Sequence, residues 1–350
     1  MTSVKIGKNT IGLGAVPFIV AEMSGNHNQS LEKALEIVKA AASSGVQALK
    51  IQTYTPDTMT LNLNSGDFLI EDKNSLWCGR TLYDLYGEAY TPWEWHQPIF
   101  DCAKAHGIIP FSTPFDNTAV DYLEDMGVLC YKIASFENTD LPLIRYTAST
   151  GKPVIISTGM ATEDEIAEAV TTARDAGCKE IVLLKCTSSY PASAANANLA
   201  TIEDMRKKYA CEVGLSDHTM GIGVAVAAVS FGASFIEKHF TISRSEGGVD
   251  SAFSMEPQEM SALVQESRKA FNAIGQVQYG PSDAEIPSLA FRRSLYIVED
   301  LKEGDVLTSS NVRSIRPGAG LAPKYIDKVL GKTVVKDVEK GTALNWDLLQ

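Results

Sequence analysis

Residues 211–241 read CEVGLSDHTMGIGVAVAAVSFGASFIEKHFT. One short apolar run ends in Ser216, Asp217 and His218, a second ends in Glu237 and His239, and the stretch between them is long enough for one helix. Toward the amino terminus the same unit recurs in PFIVAEM, ALKIQTY, IIPFSTP, LCYKIAS, PVIISTG and EIVLLKCTS, each run closing on polar residues. Between the runs lie segments of helical period, such as Leu31, Ala34, Leu35, Val38 and Ala42, or Ile166, Ala169, Val170 and Ala173 behind a Thr162/Glu165 capping box. Eight apolar runs alternating with helices predict an α/β fold, a parallel (β/α)8 TIM barrel. An open doubly wound sheet would use fewer strands and often a glycine-rich phosphate loop, which the sequence lacks.

Two stretches break the alternation. Residues 55–96 form a connection longer than a strand-to-helix loop needs, with a short helix expected at 81–88. Its aromatic density suits a substrate lid. After Gly280 the prolines Pro281 and Pro287 mark a linker, which divides the chain into a barrel (1–280), a linker (281–290) and a small carboxyl-terminal domain (291–350). In that domain the run from Val298 to Leu307 resembles the run from Val335 to Leu344, each with an acidic/basic turn closing on glycine, so a duplicated hairpin in an all-β module is expected.

The formal charge of -12 and the lack of any Lys/Arg run argue against a nucleic-acid or acidic-membrane partner. No signal peptide or apolar span is evident, so a cytoplasmic protein is expected. The six cysteines are scattered without CxxC spacing and read as reduced structural thiols.

Polar residues collect where the strands end, which in a barrel is the active face. His218 and His239 close consecutive strands about 4.8 Å apart, so their imidazoles can reach one ion, and two histidines with carboxylate and water neighbours suit a divalent Lewis acid. Lys50 and Lys132, with Thr113, Ser135, Ser157 and Ser216, supply charge and hydroxyl donors for a phosphate or carboxylate cradle. Glu22 and Glu137 are candidates for proton transfer, because a dry cleft raises a carboxylate's pKa. His27 reads as a loop-stabilising residue; His96 and His106 belong to a helix.

At these same residues the chain resembles the sialic acid synthase family. The matching motifs are FIVAEMSGNHN, ALKIQTY, PFSTPFD, YKIASFE, ISTGMAT, SSYP, GLSDHT, IEKHFT and GGVDSAFSMEP, while RSLY and IRPGAG are similar to the antifreeze-like (SAF, β-clip) domain that follows the barrel in that family. Within the family, SLWCGRTLYDLYGEAYTPWEWH most resembles the pseudaminic acid branch. The resemblance implies phosphoenolpyruvate as donor, held by Lys50, Thr113, Lys132, Ser135, Ser157 and Ser216, with Mn2+ or Mg2+ on His218 and His239. It also implies an acetamido sugar as acceptor, Glu22 and Glu137 at the family's acidic positions, and a domain-swapped homodimer in which Arg316 reaches the partner's sugar. Ser188 departs from the pattern, standing where N-acetylneuraminate synthases carry asparagine. Other readings are N-acetylneuraminate or legionaminate synthesis, a Schiff-base aldolase using Lys185 or Lys132, and an inert barrel that only binds carbohydrate.

Overall fold

The computed structural model describes residues 3–73 and 75–350, which divide into two compact units, one reaching Gly275 and one covering Gln276–Gln350. Within the aromatic insertion, Asn74 lies outside the described residues. The first unit opens with an antiparallel hairpin, β1 (Val4–Ile6) and β2 (Asn9–Ile11). The eight runs then appear as β3 (Phe18–Glu22), β4 (Ala48–Thr53), β5 (Ile109–Pro114), β6 (Tyr131–Ile133), β7 (Val154–Ser157), β8 (Ile181–Cys186), β9 (Glu212–Ser216) and β10 (Phe235–His239). They pair in parallel and close into a barrel, β10 returning to β3 with His239 opposite Glu22.

The two-residue alternation of a strand sorts each run between two layers. Ile19, Leu49, Ile133, Leu183, Val213 and Ile236 pack outward against helices such as Leu31–Ser43 and Pro257–Ile274 in the main core. Their neighbours Phe18, Val20, Ala48, Phe111, Ile155, Leu184 and Phe235 fill the barrel interior, together with Val4, Ile6 and Ile11 of the hairpin, which adds its apolar side chains to that cluster. The same inward parity continues toward the strand ends as Glu22, Lys50, Gln52, Lys132, Ser157, Cys186, Ser216, Glu237 and His239. The barrel is therefore apolar below and polar above, and the functional face is the upper layer of one continuous interior.

The helix around the capping box spans Glu163–Asp175, with Thr162 and Glu165 bonded reciprocally. The helix in the insertion spans Leu82–Ala89, and Thr81 accepts a hydrogen bond from the Asp84 amide at 3.0 Å. Most of the expected linker (281–290) lies in a 3-10 helix, Asp283–Phe291, which Ser282 and Glu285 cap reciprocally and which contains Pro287. No helix among the described residues is long and apolar enough to cross a membrane.

The second unit has its own core, which includes Leu295, Ile297, Leu301, Leu307, Val312, Val334 and Leu344. Regular strand is confined to β11 (Ser294–Ile297) and β12 (Val312–Ile315), and the duplicated runs pair through isolated bridges instead of two separate hairpins. The pairing obeys a local two-fold. Leu301 and Val338, equivalent in the two copies, exchange both backbone hydrogen bonds. Gly304 N donates to Val334 O as Gly341 N donates to Ile297 O, and Asp337 accepts from Glu303 N as Asp300 accepts from Lys340 N. Each copy supplies the partner that the other lacks, which explains why the repeat is present twice.

Gly214 tests the interior packing. A Cβ there would point into the barrel 2.7 Å from Phe235 Cβ and 2.9 Å from Leu184 Cδ2, and against the Phe235 carbonyl, whereas one on Gly223, at the start of the next helix, would meet open space. Gly214→Ala is expected to destabilise the protein by roughly 1–3 kcal/mol or more, and Gly223→Ala to be neutral or stabilising by up to about 1 kcal/mol. Urea midpoints of the two variants check this.

Candidate active site

The upper interior opens into a cavity walled by strand ends on one side and by Met59, Ile70, Trp77, Leu82, Leu85 and Tyr86 on the other. Its floor holds four buried charges. Lys50 Nζ lies 2.9 Å from Glu22 Oε2 and 3.6 Å from Glu237 Oε1, and Lys132 Nζ lies 3.6 Å from the same Glu237 oxygen. Burial would push the Glu237 carboxyl up, but Lys132 and Lys50 hold it below its ordinary value.

The two lysines are not equivalent. Burial alone would lower Lys50, yet Glu22 and Glu237 raise it. Lys132 shares only Glu237, so burial dominates and its pKa falls. Lys132 is thus the cation in need of an anion, and a phosphate or carboxylate beside it would supply the missing charge. Hydroxyls surround it: Ser157 Oγ is buried without a partner, Ser216 Oγ lies 3.4 Å from Glu237 Oε1, and Ser135 Oγ accepts from Gly159 N at 3.1 Å. Thr113 does not wall the cavity; it accepts from Lys50 Nζ at 3.2 Å.

Glu22 is committed to Lys50 and to Gln52, whose amide donates to Oε1 at 3.1 Å. Glu137 has a freer carboxylate. It follows β6 on a 3-10 turn, its Oε2 is buried without a partner, and burial pushes it up to about 7 against the pull of Lys132. A carboxylate titrating near neutrality can take a proton and give it back.

His218 and His239 meet with ring centroids 5.3 Å apart. His218 Nδ1 lies 3.0 Å from the Thr187 carbonyl, so in the neutral ring it carries the hydrogen and Nε2 is bare. Burial opposes protonation of His218, but the Cys186 thiol and the Thr187 carbonyl raise its pKa. His239 is held well below its ordinary value by burial and by the nearby cations, and its Nδ1 is buried without a hydrogen-bond partner, 3.9 Å from Asp250 Oδ2. An orphaned buried nitrogen beside a second bare nitrogen fits a divalent cation, with Asp250 alongside. Among the described residues no group of three or more His, Cys, Asp and Glu is close enough to cage an ion. Any ion on the two histidines would therefore keep open positions.

Sequence reasoning did not assign roles to Glu237, Tyr190, Asp250 or Gln52, which all line the cavity. Glu237 was detectable by parity, two residues before His239 on the same strand. Tyr190 packs on the His218 ring at 4.5 Å and on Phe253 at 5.2 Å, and Trp77 of the insertion reaches Tyr190 at 6.0 Å and donates to the Val249 carbonyl at 3.2 Å. Those contacts join distant loops and leave no local pattern. Ser188, the departure from asparagine, lies 3.8 Å from Cys186 Sγ and points where a Gly159 Cβ would be. Lys185 turns away from the cavity and donates to the Cys186 carbonyl at 2.9 Å. His27 Nε2 bonds Thr91 and its Nδ1 accepts from Gln29 N, both at 3.2 Å, and His96 bonds Thr53 at 2.8 Å, so both are structural. Arg316 is exposed in the second unit, just after β12.

A parallel barrel whose mouth gathers buried lysines, hydroxyls and two histidines is the framework of an enzyme acting on small molecules. The chain belongs to the NeuB family, whose pattern matches residues 37–279, followed by a SAF domain at 292–350. It is 44% identical over 93% of its length to 95% of the pseudaminic acid synthase of Campylobacter jejuni subsp. jejuni serotype O:2. It is 37% identical over 95% of its length to 94% of the N,N'-diacetyllegionaminic acid synthase of Legionella pneumophila. Among solved structures, N-acetylneuraminic acid (sialic acid) synthetase from Leptospira borgpetersenii serovar Hardjo-bovis, in complex with citrate, superposes with a TM-score of 0.72 at 30% identity, covering 82% of this chain and 95% of that one.

Glu137 gives a pH prediction. Its folded pKa of about 7 lies above the ordinary 4.5, so the folded state holds the proton more tightly. The stability this contributes is complete below the ordinary value and is lost as pH rises through about 7. Glu137→Gln, which cannot ionise, should melt at a higher temperature than the wild type near pH 8 and at the same temperature near pH 4, as scanning calorimetry at the two pH values will read.

Proposed function

We propose that the protein is a pseudaminic acid synthase, condensing phosphoenolpyruvate with 2,4-diacetamido-2,4,6-trideoxy-beta-L-altropyranose and water to give pseudaminic acid and phosphate. The observation that carries the reading is Lys132, which has only a shared carboxylate beside it, in a cavity that buried hydroxyls and an apolar wall made by the insertion also line. The lysine asks for an anionic donor, and the apolar wall suits an acceptor with a deoxygenated methyl carbon. The higher identity to the pseudaminic relative than to the legionaminic one favours the same branch.

In this mechanism Lys50, Lys132, Ser135, Ser157 and Ser216 hold the donor's phosphate and carboxylate, leaving C3 of the enol facing the acceptor. C3 attacks the open-chain sugar's aldehyde carbon; the new carbon–carbon bond leaves an oxocarbenium at C2 and an alkoxide, which takes the proton from the acid form of Glu137. Glu137 removes a proton from water as its oxygen adds at C2. The tetrahedral intermediate then expels phosphate by C–O cleavage, yielding the 2-keto acid, while the lysines meet the departing charge. A divalent cation, Mn2+ or Mg2+, held by His218 and His239, would supply Lewis-acid polarisation of the aldehyde oxygen. Such chemistry belongs in the cytoplasm, where phosphoenolpyruvate is made.

The test offers purified enzyme phosphoenolpyruvate and Mn2+ with the diacetamido altrose or with N-acetylmannosamine, and measures phosphate. Preference for the first acceptor is expected; preference for N-acetylmannosamine overturns the pseudaminic assignment and leaves the synthase class standing. Lys132→Ala should raise the KM for phosphoenolpyruvate roughly tenfold to a hundredfold, the loss of one charge-assisted contact of about 1.5–3 kcal/mol, and leave the sugar KM nearly unmoved.

The same reading makes the protein a domain-swapped homodimer in which exposed Arg316 of one subunit donates hydrogen bonds to the acetamido oxygen of a sugar bound by its partner. A hybrid of one His218→Ala chain and one Arg316→Ala chain then contains one intact site. Activity should return on mixing and reforming the dimers. Its absence in confirmed hybrids would put Arg316 within its own subunit's site or outside both.

A further inference from the structure

Between the two cavity-facing residues of β10, Glu237 and His239, stands Lys238, which points the other way and is 1% exposed. Its ammonium donates to Asp217 Oδ2 at 2.7 Å and to the Thr219 carbonyl at 2.7 Å. Asp217 Oδ1 in turn accepts from the Thr219 amide at 2.9 Å. The residues on both sides of His218 are therefore tied to one another and to a single buried cation. Asp217 N also donates to the Glu237 carbonyl at 2.9 Å and Ala192 N to the His218 carbonyl at 3.0 Å, so the backbone through this turn is held from three directions.

We propose that Lys238 is a positioning residue, which clamps the Asp217–Thr219 turn so that His218 presents its Nε2 toward His239. It does not line the cavity and touches no reacting group. A buried ion pair contributes little to stability compared with an apolar pair of the same shape, because both ions lose their water. Here the ions are spent on backbone atoms flanking one histidine, where an apolar pair would hold nothing in register. The stem of Lys238 leaves from β10 and its head closes on Asp217 and Thr219 just past the end of β9, so one side chain ties the turn that carries His218 to the strand that carries His239. The Thr187 carbonyl that fixes the His218 tautomer can do so only if the ring arrives in this orientation.

The inference rests on the proposed cation site, and the experiment separates the two. Full-length wild type and Lys238→Met, which keeps the apolar stem and removes the ammonium, are titrated with Mn2+ by electron paramagnetic resonance. Without metal, the His218 ring is followed by long-range 1H–15N correlation. Lys238→Met should weaken Mn2+ binding at least tenfold and replace the single Nδ1–H pattern of His218 by mixed tautomers. It should lower kcat and leave the KM for phosphoenolpyruvate within about twofold, a split that general loss of structure would not give. A folded Lys238→Met with wild-type Mn2+ affinity and an unchanged His218 ring overturns the clamp. If that variant does not fold, Lys238→Met/Asp217→Leu, which leaves no lone buried charge, is read by the same measurements with the same two outcomes. If wild type itself binds no Mn2+, the cation reading fails, and the tautomer pattern of His218 alone decides whether Lys238 positions it.

Discussion

Four buried charges inside a closed barrel are the constraint on which the rest of the molecule depends. Glu22, Lys50, Lys132 and Glu237 come from four different strands, and each is nearly inaccessible to water. None could be buried alone, since an isolated ion in such surroundings loses several kcal/mol of hydration. They are tolerable only together, and they are together only when β10 closes against β3 and β4 stands beside β3. Site and fold are in this sense one event: the closure that completes the hydrogen-bonded ring also brings Glu237 to both lysines. Lys50 has two carboxylates and Lys132 shares one of them, so Lys132 is the cation with less negative charge beside it.

Much of this was legible in the sequence because parallel strands buried on both faces obey a period of two. The apolar runs marked the eight strands, and their polar ends marked the upper interior; Glu22, Lys50, Lys132, Ser157, Ser216, His218 and His239 all line the cavity. Thr113 shows the limit of that reasoning. It has the right parity on β5, opposite Gln52, yet it does not wall the cavity and instead accepts from Lys50 Nζ, a neighbour its own run does not reveal. Glu237 had both the parity and the position, but its importance comes from lying between two lysines contributed by β4 and β6, a relation that no local pattern contains.

Other features were invisible for a related reason. Tyr190 packs on His218, Asp250 stands beside His239, and Trp77 bonds the Val249 carbonyl, yet each couples loops far apart in sequence. In the second unit the repeat was readable, but the expected pair of hairpins was not what formed. The two copies satisfy one another across a local two-fold, with Leu301 against Val338, so the unit of structure is the pair.

The division of labour within the cavity follows from what each wall is made of. Strand ends are rigid and carry the charges, so chemistry common to a family belongs there: moving Lys132 or Glu237 would unbalance the buried charge. The facing wall is built from the insertion, where Ile70, Leu82 and Leu85 project from a helix and loop whose own charges, such as the Arg80–Glu88 pair, are exposed. Changes there alter the shape and polarity presented to a second substrate without stranding an ion in the core. On the proposed function, a barrel of this design could keep one donor and exchange acceptors, because the wall built by the insertion is electrostatically separate from the charged floor.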